Sequence, residues 1–183
     1  MLAQPNGGSG AGDRLRNLGV AAALAFLLVL SARAADDVRQ AEVAQRGAQV
    51  MPFDLKATRH IFTKTIDGGV QRVVVKDDAN IEQIELIRQH LRHMQARFQR
   101  GDFSGPSHIH GDNMSGLDTL KAAKPGEISF VYRDIDGGAE LAYRTKDSSL
   151  VTALHAWFDN QVSDHGADAV QGDEHSHSHV MMH

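Results

Sequence analysis

The chain has 183 residues, of which 11 are His, 6 are Met and none is Cys. The missing Cys excludes disulfides, thiolate zinc sites, iron–sulfur clusters and Cys nucleophiles. A formal charge of −4 gives no basic footprint for nucleic acid. Length allows one ordinary domain with appendages.

In chain order, Arg14 and Arg16 precede an apolar run from Leu18 to Leu30. This run is too short to span ~30 Å of hydrocarbon comfortably as a helix, but it suits the core of a secretory signal. Ala32-Arg33-Ala34 followed by Asp36-Asp37 predicts cleavage after Ala34, so residues 1–34 are read as a signal peptide. The mature chain then keeps no membrane anchor and lies in the periplasm. Residues 35–51 carry no sustained apolar face and read as a linker.

The core, residues 52–165, reads as two β-hairpin-plus-helix units. Strand-like runs Thr58–Thr65 and Val70–Lys76 flank Ile66-Asp67-Gly68-Gly69, and Asp-Gly is a strong hairpin signal. The pattern returns as Ile128, Phe130 and Tyr132, the turn Ile135-Asp136-Gly137-Gly138, then Leu141 and Tyr143. Helices follow both hairpins. The first, from about Ile81 to Arg100, opens with Asn80 and Gln83 in capping-box spacing and carries an apolar stripe of Ile81, Ile84, Ile87, Leu91, Met94 and Phe98. The second runs from about Ser149 to His165, with Leu150, Leu154, Trp157, Phe158, Gln161 and His165 on one face and Gly166 as its stop. Between them Gly101–Pro125 reads as a loop with one short helix over Leu117–Ala123. The expected fold is α+β: an antiparallel sheet with helices on one face. Residues 166–183 read as a flexible tail.

The histidines sort by position. His90 falls ~80° from the centre of its helix's apolar stripe, at the core boundary beside Met94, whereas His93 points to solvent. His155 lies at a similar boundary on the second helix. In an extended loop, His108 and His110 would project to the same side, near Met114. A core metal site could therefore be built from His90, His110, Met114 and His155. His60 on a strand face and His165 in a last helical turn have structural explanations, the latter by interaction with the helix dipole.

The tail carries the denser signal. His175, His177, His179 and His183 stand with Met181 and Met182 in nine residues. Imidazoles bind Cu(II), Ni(II) and Zn(II), while soft thioethers select Cu(I). This donor mix, without Cys and behind an export signal, points to copper before zinc or nickel.

A resemblance adds to this reading. Met51-Pro52-Phe53-Asp54-Leu55, Gly68-Gly69-Val70-Gln71, Gln83 to Arg88 with His90-Leu91, Gly101-Asp102-Phe103, Ile109-His110-Gly111 with Met114, and Ala153 to Asp159 carry it. From Met51 to Ala169 the chain resembles a family of small bacterial proteins often labelled "aspartate carbamoyltransferase". The resemblance implies a domain starting near Met51, with an export signal in front and a His/Met tail behind. It also draws attention to His60, His90, His110, Met114, His155 and His165 as a shared polar or metal site. The core has no Ser-Thr-Arg-Thr motif and no Gly-rich phosphate loop, and the chain has no G-x-S-x-G, H-E-x-x-H or C-x-x-C motif.

The expected function is binding, buffering or delivery of copper in the periplasm, with a partner protein as recipient. Two alternatives are a metal-dependent enzyme with three His ligands and an open water position, and a partner-binding module whose histidines are structural.

Overall fold

The computed structural model describes residues 33–173; the apolar run read as an export signal and residues 174–183, with the six ligands expected in the tail, lie outside the described residues. The chain divides into two units, Met1–Arg39 and Gln40–His183. In the first, residues 33–39 are helical. The second begins with helix α1, residues 40–50, and contains every element that follows.

Two hairpins make most of the sheet. Strands β1 (Thr58–Thr65) and β2 (Gly68–Val75) are joined by the two-residue loop Ile66-Asp67. Strands β3 (Ser129–Ile135) and β4 (Gly138–Arg144) are joined by Asp136-Gly137, where Gly137 has φ +70° and meets the loop's need for a left-handed residue. The hairpins pair through β2 and β4, with Gln71 opposite Leu141 and Val73 opposite Ala139. A fifth strand, β5 (Ala169–Gln171), runs parallel to β1 at the sheet edge, giving the order β3-β4-β2-β1-β5. The fold is α+β, with a mostly antiparallel sheet.

Helices α2 (Ile81–Phe98) and α5 (Ser148–His165) lie against the sheet and close the core around Phe62, Val73, Leu91, Leu141, Tyr143, Trp157 and Phe158. Asn80 caps α2 by accepting from the Gln83 N–H, as the spacing predicts. The reciprocal half of the capping box is diverted, because the Gln83 carbonyl oxygen accepts from the Asp54 N–H at 2.6 Å instead. This ties the start of the core to α2. Asp147 caps α5 through the N–H groups of Ser149 and Leu150, and Gly166 at φ 53° ends it.

Three stretches differ from the sequence expectations. Residues 35–51 are not an open linker, since they are helical to residue 50 and α1 buries Val43 completely. Their apolar stripe is Val43, Gly47 and Met51, and the small Gly47 hides the helical spacing. An added Cβ there would lie 2.8 Å from the Met51 methyl carbon, so the end of that side chain would have to shift. The start of the expected tail is also built in, as the one-turn 3-10 helix Gly166–Asp168 leads into β5. Finally, Gly101–Pro125 holds two helices, α3 (Ser104–His110) and α4 (Leu117–Lys121). In α3, His108 and His110 point to opposite sides: His108 is exposed and His110 is buried. Pro106 sits in the first turn of α3, where its missing N–H costs nothing. Among the described residues no helix is long and apolar enough to cross a membrane.

Candidate functional site

The helical ends of α3 and α5 and the middle of β1 meet at one place. β5 explains the meeting: it pairs Ala169 with His60, so the chain leaving α5 must pass beside β1. This sets the last residue of α5, His165, against His60. The two rings lie with centroids 5.0 Å apart and planes within 6°. His110, the last residue of α3, packs its ring against His165, also at 5.0 Å, with planes at 78°. Phe53 continues the chain of rings from His60 to His90, at 5.8 and 5.5 Å.

These four imidazoles line a cavity of about 60 Å³. That is several times the ~10–15 Å³ that one water needs. Its other walls include Val73, Leu91, Phe98 and Ile109, the thioethers of Met51 and Met94, and the polar groups of Gln71, Trp157 and Gln161. Arg97 and Asp102 also line it, joined by a 2.8 Å ion pair. The Arg97 hydrogen bond, reinforced by Ser104, holds the Asp102 carboxyl well below the usual carboxylate range.

Each polar group has a distinct role. His110 Nδ1 is 2.9 Å from an Asp164 carboxylate oxygen, and both side chains are buried. A carboxylate only accepts, so His110 Nδ1 carries a proton. Gln71 is fixed by the Tyr143 hydroxyl, which donates to its carbonyl oxygen at 2.7 Å. Two buried atoms on the cavity wall have no hydrogen-bond partner: His60 Nδ1 and Trp157 Nε1.

Burial favours the neutral form of His60, His90 and His165. Desolvation lowers His60 well below the ordinary imidazole value, and charge on His165, His90 or His110 would lower it further. Desolvation likewise lowers His90 to about 4, assisted by His93 and Arg97. It lowers His165 to about 4, with His110 acting in the same sense and Asp164 and Asp168 opposing. Neutral imidazole is the form that ligates metals.

The structure brings together two of the four core residues expected from sequence. His90 and His110 share the cavity, whereas Met114 and His155 are not among its walls. Met114 is buried in the hydrophobic core. His155 Nε2 lies 3.0 Å from the Thr65 carbonyl and 2.9 Å from the Gly68 carbonyl. With two acceptors, that nitrogen must carry the proton, and the ring ties α5 to the β1–β2 turn. His60 and His165, given structural roles from sequence, are the residues at the centre. One signal was available: His60 alternates with the core residue Phe62, and His165 lies on the inward face of α5. Their proximity was not legible, because it depends on β5.

Among the described residues no group of three or more His, Asp or Glu side chains is arranged around a common point as metal ligands are. Comparison with protein-family models, curated proteins and solved structures finds no match.

Proposed function

We propose that this chain is an exported copper-binding protein that buffers copper or hands it to a partner in the periplasm. The observation that carries the reading is the donor set of the buried cavity: four imidazoles, His60, His90, His110 and His165, and two thioethers, Met51 and Met94, in a chain without Cys. Imidazole and thioether together suit copper in both oxidation states, and zinc gains nothing from the methionines. The cavity would hold the ion. His175, His177, His179 and His183, with Met181 and Met182, would capture it from solution. Apolar walls would shield Cu(I) from water and oxidants.

The test is titration of the chain from Ala35 with Cu(I), Cu(II) and Zn(II), alongside a variant in which the four tail histidines are Ala. The reading expects Cu(I) affinity tighter than micromolar in both, with weaker Cu(II) capture in the variant. Binding of none of the three metals would end it. A second reading, a pocket for a small organic ligand, draws on Trp157 Nε1, a buried donor that no metal would satisfy directly. It predicts a ligand retained by the metal-free protein, visible by mass spectrometry under native conditions.

A further inference from the structure

We propose that the core copper site is the triad His60, His165 and His110, with His60 binding through Nδ1 and with Asp164 positioning His110. This assignment rests on the copper reading above and names its ligands. Of the four core residues expected from sequence it keeps His110, and it replaces His90, Met114 and His155 with two residues that the fold brings together.

Three observations carry it. The first is the unpartnered nitrogen. His60 is almost fully buried, it lines the cavity, and its Nδ1 has no hydrogen-bond partner. In the tautomer that carries its proton on Nε2, Nδ1 has an unused lone pair. An unmet buried acceptor of this kind costs about 1–3 kcal/mol, and its presence calls for an explanation.

The second is spacing. A metal–imidazole bond of ~2.0 Å puts the ring centroid ~3.1 Å from the ion, so two imidazoles at a tetrahedral angle have centroids ~5 Å apart. The His60–His165 and His165–His110 separations are both 5.0 Å. The ring planes do not yet converge on one point. The outer torsion of a His side chain is broad, so ligation would turn the rings about it and repack their neighbours.

The third is the pairing of His110 with Asp164. A ligating imidazole characteristically donates its other N–H to a carboxylate, which fixes the tautomer and makes the ligand more basic. The buried 2.9 Å contact supplies this partner for Nε2 ligation. Asp164 and His165 are consecutive, so one helical turn delivers both a ligand and the group that orients another.

The experiment uses the chain from Ala35 with ¹⁵N-labelled histidines and with His175, His177, His179 and His183 replaced by Ala. Cu(I) is added under reducing conditions against a chromophoric Cu(I) chelator, and ring nitrogens are followed by NMR. The proposal expects one equivalent to bind tighter than micromolar and to shift His60 Nδ1, His110 Nε2 and one nitrogen of His165. His93, His108 and His155 should stay in place. Asp164→Asn should weaken Cu(I) binding by about 10–100-fold and alter the His110 tautomer populations.

If Cu(I) binds this chain but the His60 and His165 signals do not move, the ligand set is wrong while the copper reading survives. If binding vanishes with the tail histidines, the core site falls and copper binding belongs to the tail. If the chain with its native tail also fails to bind Cu(I) at micromolar concentration, both ideas fall. Unchanged affinity and an unchanged His110 tautomer in Asp164→Asn would overturn the positioning role. The ring shifts in the chain with native Asp164 decide the ligand set even if that variant does not fold.

Discussion

Asp164 accepts a hydrogen bond from His110 across 54 residues of sequence, at 2.9 Å and with both side chains no more than 5% exposed. This contact joins α3 to the end of α5 and fixes one wall of the histidine cavity. Removing the carboxylate leaves a buried N–H without an acceptor. Asp164→Ala should therefore lower the unfolding free energy of the metal-free chain by about 2–4 kcal/mol, measured in urea. Asp164→Asn, which retains an acceptor, should cost less. Equal and small effects, under about 0.5 kcal/mol, would show that the pair contributes little to holding α3.

Acid should unfold the metal-free chain earlier than its carboxylates require. His60, His90 and His165 are all held below the ordinary value of 6.5, mainly by desolvation. Around His60 stand His165, His90, His110 and the Asp168 backbone; around His90, His93 and Arg97; around His165, His110, Asp164 and Asp168. The unfolded chain takes up protons as pH falls through 6.5, while the folded rings resist, His90 and His165 until about 4. Stability is thus fully present above 6.5, is lost between 6.5 and about 4, and levels as His90 and His165 protonate in the folded state. Each ring contributes a slope of about 1.4 kcal/mol per pH unit in that window. Carboxylates such as Asp102, held low by Arg97, act only at lower pH. Urea midpoints at pH 7, 6, 5 and 4 check this, and a flat profile from 7 to 5 would contradict it.

His155 should prove structural. Its Nε2–H serves the carbonyls of Thr65 and Gly68 and anchors α5 to the first hairpin. His155→Ala should destabilise the chain by about 1–3 kcal/mol and leave Cu(I) affinity in the cavity unchanged. A loss of copper affinity without a loss of stability would restore it as a ligand.

Helix α1 should behave as part of the core. Val43 is fully buried, and Gln40 donates from its side chain to the Ser163 carbonyl at 3.1 Å. Val43→Asp places an unpaired charge in an apolar site and should cost several kcal/mol, on the order of 3 or more. Hydrogen exchange should then speed up in α5 as well as in α1. Unchanged protection in α5 would mean that residues 40–50 are dispensable for the core.

Much of the fold was legible because local signals agreed with tertiary ones. Both Asp-Gly hairpins, the alternation of Phe130 with Tyr132, and the stripe from Ile84 to Phe98 each had a period that matched the final element, whereas Ile81, expected in that stripe, is exposed at the first position of α2. The misses share a cause. Gly47 interrupts the apolar stripe of α1, and Ser104–His110 has only seven residues, with Gly and Pro near its start. β5 has three residues and is held by pairing with β1, not by any pattern of its own. The cavity depended on these elements. His90 was placed correctly at the edge of its helix, because helical phase alone decides that. The contact of His60 with His165 follows from a parallel strand that composition does not announce. His110 was selected for a reason that the helix overturns, as the projection of His108 and His110 to one side holds only in an extended chain.

The central claim is that a buried site in the folded core binds copper independently of the tail. Its most direct test is the Cu(I) stoichiometry and affinity of the chain from Ala35 with His175, His177, His179 and His183 changed to Ala, set against His60→Ala in that same background. The account predicts one Cu(I) bound tighter than micromolar in the first, and at least a tenfold loss of affinity in the second with the fold retained by circular dichroism. Cu(I) binding that needs the tail histidines, or that is indifferent to His60 in a folded protein, would contradict it.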